Sequence, residues 1–319
     1  MDKYLRAMSG AKGGRKEWSR SAGPAAKLGW LEGGKLTEQV PDWFIEFFLK
    51  TRDVAAVDYE SDLFGMSSLE ENWTLYRLLG ESAPTASLEI GIMRGATCLT
   101  ISKAIEDHRL TCHQTAVDVD PHAVEVVSGK LRQAGKAHEF TVLAADSKEW
   151  LPRQEGGWQF TFLDGDHAYN TIAFELVETF NRVPVGGWIV LHDTGSALWG
   201  WYQDPGLLMF KALDQELGEL AELTWLDNTD RAQDTRLLFS LDLAPKVASM
   251  SNSMFEGWGG LGIVRKINNS RNLSHAQFAP YSPALTQPHP SLTQRIARKM
   301  KRIARKMGFF AVCRRNKGG

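Results

Sequence analysis

The stretch Ser87-Leu88-Glu89-Ile90-Gly91-Ile92-Met93-Arg94-Gly95 decides the fold: a short apolar run closes on Glu-x-Gly-x-x-x-Gly, and a helical pattern starts at Ala96. Glycines belong at such a junction because the chain must turn tightly and leave bare backbone for a ligand at a helix N-terminus. A plain strand-to-helix turn would use the same residues, so the surrounding sequence has to separate the two readings. Downstream, apolar runs at 113–120 (HQTAVDVD), 139–145 (EFTVLAA), 160–166 (FTFLDGD) and 187–193 (GWIVLHD) alternate with helical patterns at 96–105, 121–133, 147–151 and 169–181. That alternation predicts βαβ units and a doubly wound, Rossmann-like α/β fold with helices on both faces of the sheet. A helix over 206–218 leads to a sixth strand at 221–227, and an irregular insertion at 228–259 leads to a seventh at 260–267. Upstream, helical patterns begin at Thr37, and Ser68 with Glu71 three residues later forms a capping-box signature.

In such a fold, ligands of the nucleotide type sit outside the carboxyl ends of the strands. Asp118 and Asp120 close the second strand, where a carboxylate can accept both hydroxyl protons of a ribose, and Asp146 at the end of the third can meet an adenine edge. A dinucleotide site reads Gly-x-Gly-x-x-Gly. Here Glu89 stands two residues before Gly91; its carboxylate would repel a pyrophosphate and attract the amino group of S-adenosylmethionine. The cofactor-binding set expected from the residues is therefore Glu89, Gly91, Gly95, Asp118, Asp120 and Asp146, and a nucleotide-dependent oxidoreductase or hydroxylase is the alternative that Glu89 opposes.

The segments LEIGIMRGATCLTIS, AVDVDP, FLDGDHAY and GGWIVLHDT together resemble the successive motifs of class I S-adenosylmethionine-dependent methyltransferases. The DGDHAY and LHDT pair resembles a bacterial branch related to sugar and natural-product O-methyltransferases. The resemblance spans about 68–193 and, more weakly, LTWLD and GLGIVRK. It implies a seven-stranded sheet with an antiparallel last strand and the methyl donor over the first three strands. It also implies an acceptor hydroxyl on a sugar, glycolipid or similar small molecule.

Methyl transfer to a hydroxyl requires loss of the hydroxyl proton and in-line alignment with the sulfonium methyl group; a base serves the first need, and a divalent ion can assist it. Asp164, Asp166 and His167 end the fourth strand, and His192 and Asp193 end the fifth. By position in the resembling family, Asp164, His192 and Asp193 would hold a divalent metal, Mg²⁺ or Mn²⁺. Imidazole at 192 departs from the usual oxygen ligand there and favours Mn²⁺, Fe²⁺ or Zn²⁺. His167 occupies the position that supplies the base in several relatives, and Asp166 is the second candidate. The competing structural reading has Asp164 and Asp193 capping helices and His192 filling space. A non-catalytic binding protein on the same fold is the remaining alternative.

Hydrophobic residues at 43% and charged residues at 24% are close to globular averages, and no apolar run reaches the roughly 20 residues needed to span a bilayer. Cys98, Cys112 and Cys313 offer neither a disulfide framework nor a zinc cluster, which suits a cytoplasmic protein. The net charge of −1 conceals an asymmetry, because residues 291–319 hold ten Lys and Arg and no acid. There RIARKM occurs twice, and Ile296, Met300, Ile303 and Met307 share one helical face. A basic amphipathic helix of this kind is expected to lie on an anionic membrane surface, at the inner face of the cell membrane. The acidic remainder argues against a nucleic-acid partner, and a homo-oligomer is left open. The expected organisation is a mobile arm at 1–35, the catalytic domain at 36–267, an Asn-, Ser- and Pro-rich linker at 268–290 and the tail at 291–319. Trp199, Trp201 and Tyr202, just after the fifth strand, are candidates to stack on a flat or sugar-like acceptor.

Overall fold

The computed structural model describes residues 27–51, 67–194, 217–226 and 260–278. Its centre is a seven-stranded sheet made of β3 (Ala86–Ile90), β4 (His113–Asp118), β5 (Phe140–Ala144), β6 (Phe160–Leu163), β7 (Trp188–His192), β8 (Ala221–Leu226) and β9 (Leu261–Lys266), in the order β5-β4-β3-β6-β7-β9-β8. The neighbours from β5 to β7 are parallel, and β9 runs antiparallel to both β7 and β8. The expected fold, with its antiparallel last strand, is therefore the observed one. The order reverses between β3 and β6, so the carboxyl ends of β3, β4, β6 and β7 share one rim at the switch point.

β6 and β7 are buried along their whole length and read as unbroken apolar runs because both faces are covered. Helix α1 (Asp42–Thr51), α2 (Leu69–Ser82) and α3 (Ala96–Asp107) pack Phe44, Leu75, Leu79 and Ile101 into one cluster with Phe160, Phe162, Val190 and Ile263 of the sheet. Helix α4 (Pro121–Gln133) closes a second cluster through Ala123, Val127 and Leu131 against Ala116 and Phe140. After the single-turn α5 (Ser147–Trp150), α6 (Tyr169–Arg182) lies against β6 and β7. Its C-terminal carbonyls at Phe180 and Val183 accept from the buried Lys266 ammonium at 2.7 and 2.9 Å, a cation at the negative end of the helix dipole.

The strands stop two or three residues short of their expected ends in β4 and β6, so Asp120, Asp164 and Asp166 stand in the loops that follow. The expected boundary of the arm at position 35 falls inside folded structure. Residues 31–36 form a hairpin of β1 (Leu31–Glu32) and β2 (Lys35–Leu36) across Gly33-Gly34, both at positive φ, and Leu28, Trp30 and Leu31 are buried with α1 and α2. The expected start of the linker at 268 also falls inside folded structure. Asn181 of α6 both donates to the Leu273 carbonyl at 2.9 Å and accepts from its N–H at 2.8 Å, and Phe278, in the short α7 (His275–Phe278), is buried. The helix expected over 206–218 lies almost wholly outside the described residues. The insertion at 228–259, the aromatic loop at 199–202 and the basic tail lie wholly outside them. Among the described residues, no helix is long and apolar enough to cross a membrane.

Candidate active site

Gly91 leaves β3 at φ 85°, and a Cβ on it would run into the Asp164 backbone carbonyl. The loop after β3 thus lies directly against the loop after β6, an approach only glycine permits. Gly95, at φ 79°, is the N-cap of α3 and supplies no side-chain cap, while a Cβ there would press on Val127. The first-turn amides of α3 are therefore not tied up by a capping side chain, a setting that suits a carboxylate.

The carboxylates around this loop are committed to their own backbone. Asp118 Oδ2 accepts from the Ile92 and Met93 amides at 2.9 and 3.1 Å, and Oδ1 accepts from Asp120 N–H at 2.9 Å. Asp118 thus holds the Gly91–Gly95 loop in shape from the neighbouring strand. Asp120 is the N-cap of α4, accepting from His122 N–H at 2.9 Å, and Asp146 is the N-cap of α5, accepting from Lys148 N–H at 2.8 Å. Both are exposed. Glu89 reads differently from its expected role at the amino group of a ligand. It is fully buried, with its carboxylate receiving the hydroxyl of Thr97, the Cys98 thiol at 3.1 Å and Gln114 Nε2 at 3.2 Å. Burial pushes its pKa up to about 7 against the pull of those three donors. Glu89 anchors the first turn of α3 from inside.

At the ends of β6 and β7 the charged side chains engage one another. Asp164 Oδ1 lies 2.9 Å from His192 Nδ1 and 3.3 Å from His167 Nε2, while Asp193 Oδ2 lies 2.8 Å from His167 Nδ1. Asp193 Oδ1 is 3.5 Å from His192 Nδ1, and Asp193 reaches this position with φ at 57°, the left-handed region that Asp tolerates better than most residues. Behind His192, the Glu71 carboxylate of α2 stands 3.3 Å from Nε2. His192 is buried, and His167 is about a quarter exposed at the rim.

Three carboxylates around two imidazoles require compensating positive charge. Without an ion it must come from protons. Burial lowers the pKa of His167, but Asp193 and then Asp164 outweigh it and hold the ring at about 10. The same contest, with Asp164, Asp193 and Glu71 against burial, puts His192 well above its ordinary range. In this state both nitrogens of His167, the expected base, face carboxylates, the environment of an imidazolium. Asp166, the second candidate base, accepts from Ala168 N–H at 3.2 Å and from Thr171 Oγ1 at 3.0 Å. It braces the start of α6.

The cluster passes a specific test for a metal. His192 Nδ1 is buried and lies 2.9 Å from Asp164 Oδ1 without the alignment of a hydrogen bond, so the two atoms converge on a common point. Donor atoms from Asp164, His167 and His192 lie within 4.8 Å of one another. The grouping differs from the expected Asp164, His192 and Asp193 in taking His167 as the third donor, with Asp193 behind it. Two imidazoles and a carboxylate fit Mn²⁺, Fe²⁺ or Zn²⁺ better than Mg²⁺, which prefers an all-oxygen shell.

Two residues emerge only in three dimensions. The sequence marks Glu71 as a capping residue, and nothing in its spacing links it to position 192. Glu175 of α6 is buried, with Oε1 accepting from Ser147 Oγ at 2.6 Å and Oε2 without a partner. It stands next to Gly165 in the loop after β6, under the seam between the two groups of loops.

Residues 88–194 match the family model of a methyltransferase domain, a segment that begins in β3 and ends just after Asp193. No curated protein matches the chain. Among solved structures, cofactor-bound Rv0187 from MTB shares 18% identity at a TM-score of 0.50, over 73% of this chain and 94% of that one. At that identity the likeness concerns the fold. SAH-bound PaMTH1 from Podospora anserina has 14% identity and a TM-score of 0.48, over 72% of this chain and 90% of that one. The O-methyltransferase from Bacillus cereus in complex with SAH has 15% identity and a TM-score of 0.47, over 72% and 94%.

Proposed function

We propose that this protein is an S-adenosylmethionine-dependent methyltransferase acting on a hydroxyl of a small acceptor, with sugars and glycolipids the first class to test. The observation that carries the reading is the coincidence of the methyltransferase-domain segment, 88–194, with both the glycine loop and the Asp164–His167–His192–Asp193 cluster. The methyltransferase-domain match and the cofactor-bound state of Rv0187 support the choice of cofactor.

In this reading the methionine carboxylate lies at the first turn of α3, and the ribose hydroxyls approach Asp118, which keeps lone pairs beyond its three amide contacts. Asp146 lies where the adenine edge would pass. A divalent ion held by Asp164, His167 and His192 would supply Lewis acidity that lowers the pKa of the acceptor hydroxyl. Asp193 keeps His167 oriented through Nδ1 and is the carboxylate we assign to receive the hydroxyl proton. The closeness of Gly91 to the Asp164 carbonyl brings donor loop and acceptor cluster within one site, the arrangement that in-line transfer needs. The deciding experiment is S-adenosylhomocysteine formation across a panel of hydroxylated acceptors, with and without Mn²⁺. The reading fails if calorimetry detects no S-adenosylmethionine binding, or if no acceptor is methylated.

A further proposal concerns the tail. Its ten basic residues and the Ile296, Met300, Ile303 and Met307 face support docking on an anionic lipid surface. Full-length protein should sediment with anionic vesicles at low salt and protein lacking 291–319 should not; full-length protein left in the supernatant would refute it.

A further inference from the structure

The capping box at the start of α2 asks little of Glu71: one carboxylate oxygen accepting the Ser68 N–H, which it does at 2.5 Å. A residue with only that duty would sit at the surface. Glu71 is instead fully buried, and its carboxylate has two further partners from distant parts of the chain. Oε1 accepts the N–H of Gly260, the residue before β9, and Oε2 also stands 3.3 Å from His192 Nε2.

An ionised carboxylate is an acceptor on both oxygens. Facing Oε2, the His192 Nε2 must carry a proton; where an ion replaces the ring's second proton, the lone pair of the neutral ring lies on Nδ1. That atom is the buried, unpartnered one, 2.9 Å from Asp164 Oδ1 and 3.5 Å from Asp193 Oδ1. Lone pairs from a neutral imidazole and a carboxylate converge in this way where a cation lies between them, and ligating histidines commonly pass their other N–H to a carboxylate. A glutamine at 71 could not substitute. With backbone amides on both sides, one of its ends would turn an NH₂ toward an N–H donor.

We propose that Glu71 is a positioning residue for a divalent transition-metal site: it holds His192 in the Nε2–H form and presents Nδ1 to the ion shared with Asp164 and His167. The proposal rests on the metal reading of the cluster given above. It adds a residue from outside the methyltransferase-domain segment, and it makes the N-terminus of α2 part of the site's construction.

The test uses the full-length protein, freed of metal and titrated with Mn²⁺ by calorimetry and electron paramagnetic resonance. Wild type should bind one ion and Asp164→Ala none. Glu71→Gln should bind about 10–100-fold more weakly, the range for loss of a carboxylate behind a ligating histidine. Ser68→Ala, which breaks the helix cap without touching His192, should bind within about twofold of wild type and controls for loss of α2 stability. In Zn²⁺-loaded wild type, nitrogen NMR of the histidines should show Nε2 protonated and Nδ1 bound to metal at His192. If Glu71→Gln binds Mn²⁺ as tightly as wild type, the role of Glu71 is refuted while the metal site stands. If wild type binds neither Mn²⁺ nor Zn²⁺, the metal reading itself fails. Should Glu71→Gln not fold, the wild-type tautomer still decides, because a protonated Nδ1 overturns the proposal.

Discussion

At the ends of β3, β4 and β5 the polar side chains turn back onto their own chain, Asp118, Asp120 and Asp146 accepting backbone amides and Glu89 enclosed by Thr97, Cys98 and Gln114. At the ends of β6 and β7, a few ångströms away across the Gly91–Asp164 contact, the carboxylates face imidazoles instead. The first region is a scaffold of braced loops leading into helix N-termini, suited to an extended ligand recognised by shape and amides. The second concentrates charge that can be balanced only by protons or by an ion. Perturbed titratable groups of the second kind cluster at sites of chemistry, so the two regions should separate under mutation.

The largest expected effect is at Asp164, the carboxylate common to both histidines. Asp164→Ala should lower turnover by about three orders of magnitude or more, consistent with losing an anchor for several kcal/mol of transition-state stabilisation. Affinity for S-adenosylmethionine, measured by calorimetry, should stay within about threefold of wild type, because the backbone carbonyl against Gly91 survives the substitution. Equal loss of cofactor affinity and turnover would show that the two regions act as one unit and would break the contrast.

That contrast follows what the sequence could and could not reveal. The order of elements, the glycine loop and the acidic strand ends were legible because they are local: alternating apolar periods, and turn residues at fixed offsets from a strand. The hairpin at 31–36 was equally local, since Leu-Glu-Gly-Gly-Lys-Leu carries a two-residue turn signal, yet a Gly- and Lys-rich neighbourhood masked it. The direction in which a carboxylate faces is not local. Glu89 follows an apolar run and could point to either side of the sheet; only the donors Thr97, Cys98 and Gln114, brought together by folding, draw it inward. Glu71 and His192 are 121 positions apart, and the capping box gave Glu71 a sufficient duty of its own. His167 stood out as a candidate, but its charge depends on Asp193, which only the pairing of β6 with β7 sets beside it.

A medium-sized effect is expected at the seam, where Glu175 lies beneath Gly165 and Ser147. Burial pushes its carboxyl up to about 7, so the folded protein holds a proton that the unfolded chain releases near 4.5. A carboxyl whose folded pKa is raised costs nothing at pH below about 4.5, and its cost grows as pH rises and is complete above about 7. At pH 8 that cost is on the order of 3 kcal/mol. Glu175→Gln, which mimics the protonated acid, should therefore match wild type in urea unfolding at pH 5 and exceed it at pH 8, with chelator present throughout. His167 adds its own pH dependence, and its charge opposes the rise of the Glu175 pKa. Its folded pKa of about 10 lies above its ordinary 6.5, so its contribution is complete below pH 6.5 and fades as pH rises through 10. A variant less stable than wild type at pH 8 would mean that Glu175 is ionised and paired, which would extend the charged region under the seam.

The smallest effects distinguish the two acids at the end of β4, Asp118 and Asp120, which stand two residues apart and both accept amides. Asp118 braces the loop that would carry the cofactor, with three N–H groups on its two oxygens. Asp118→Ala should weaken S-adenosylmethionine binding by at least about tenfold, the equivalent of one charge-assisted hydrogen bond near 1.4 kcal/mol, because the ribose partner is lost along with the loop brace. Asp120 caps α4 from the exposed side and accepts His122 N–H. Its replacement by Ala should cost about 1 kcal/mol of stability, the usual cost of an N-cap, with little change in cofactor affinity. Calorimetry and thermal unfolding of the two variants side by side give the answer: a binding defect in one and a stability defect in the other. If Asp120→Ala instead matched Asp118→Ala in binding, the exposed acid would be the ribose partner, and Asp118 would be left as the brace of the glycine loop alone.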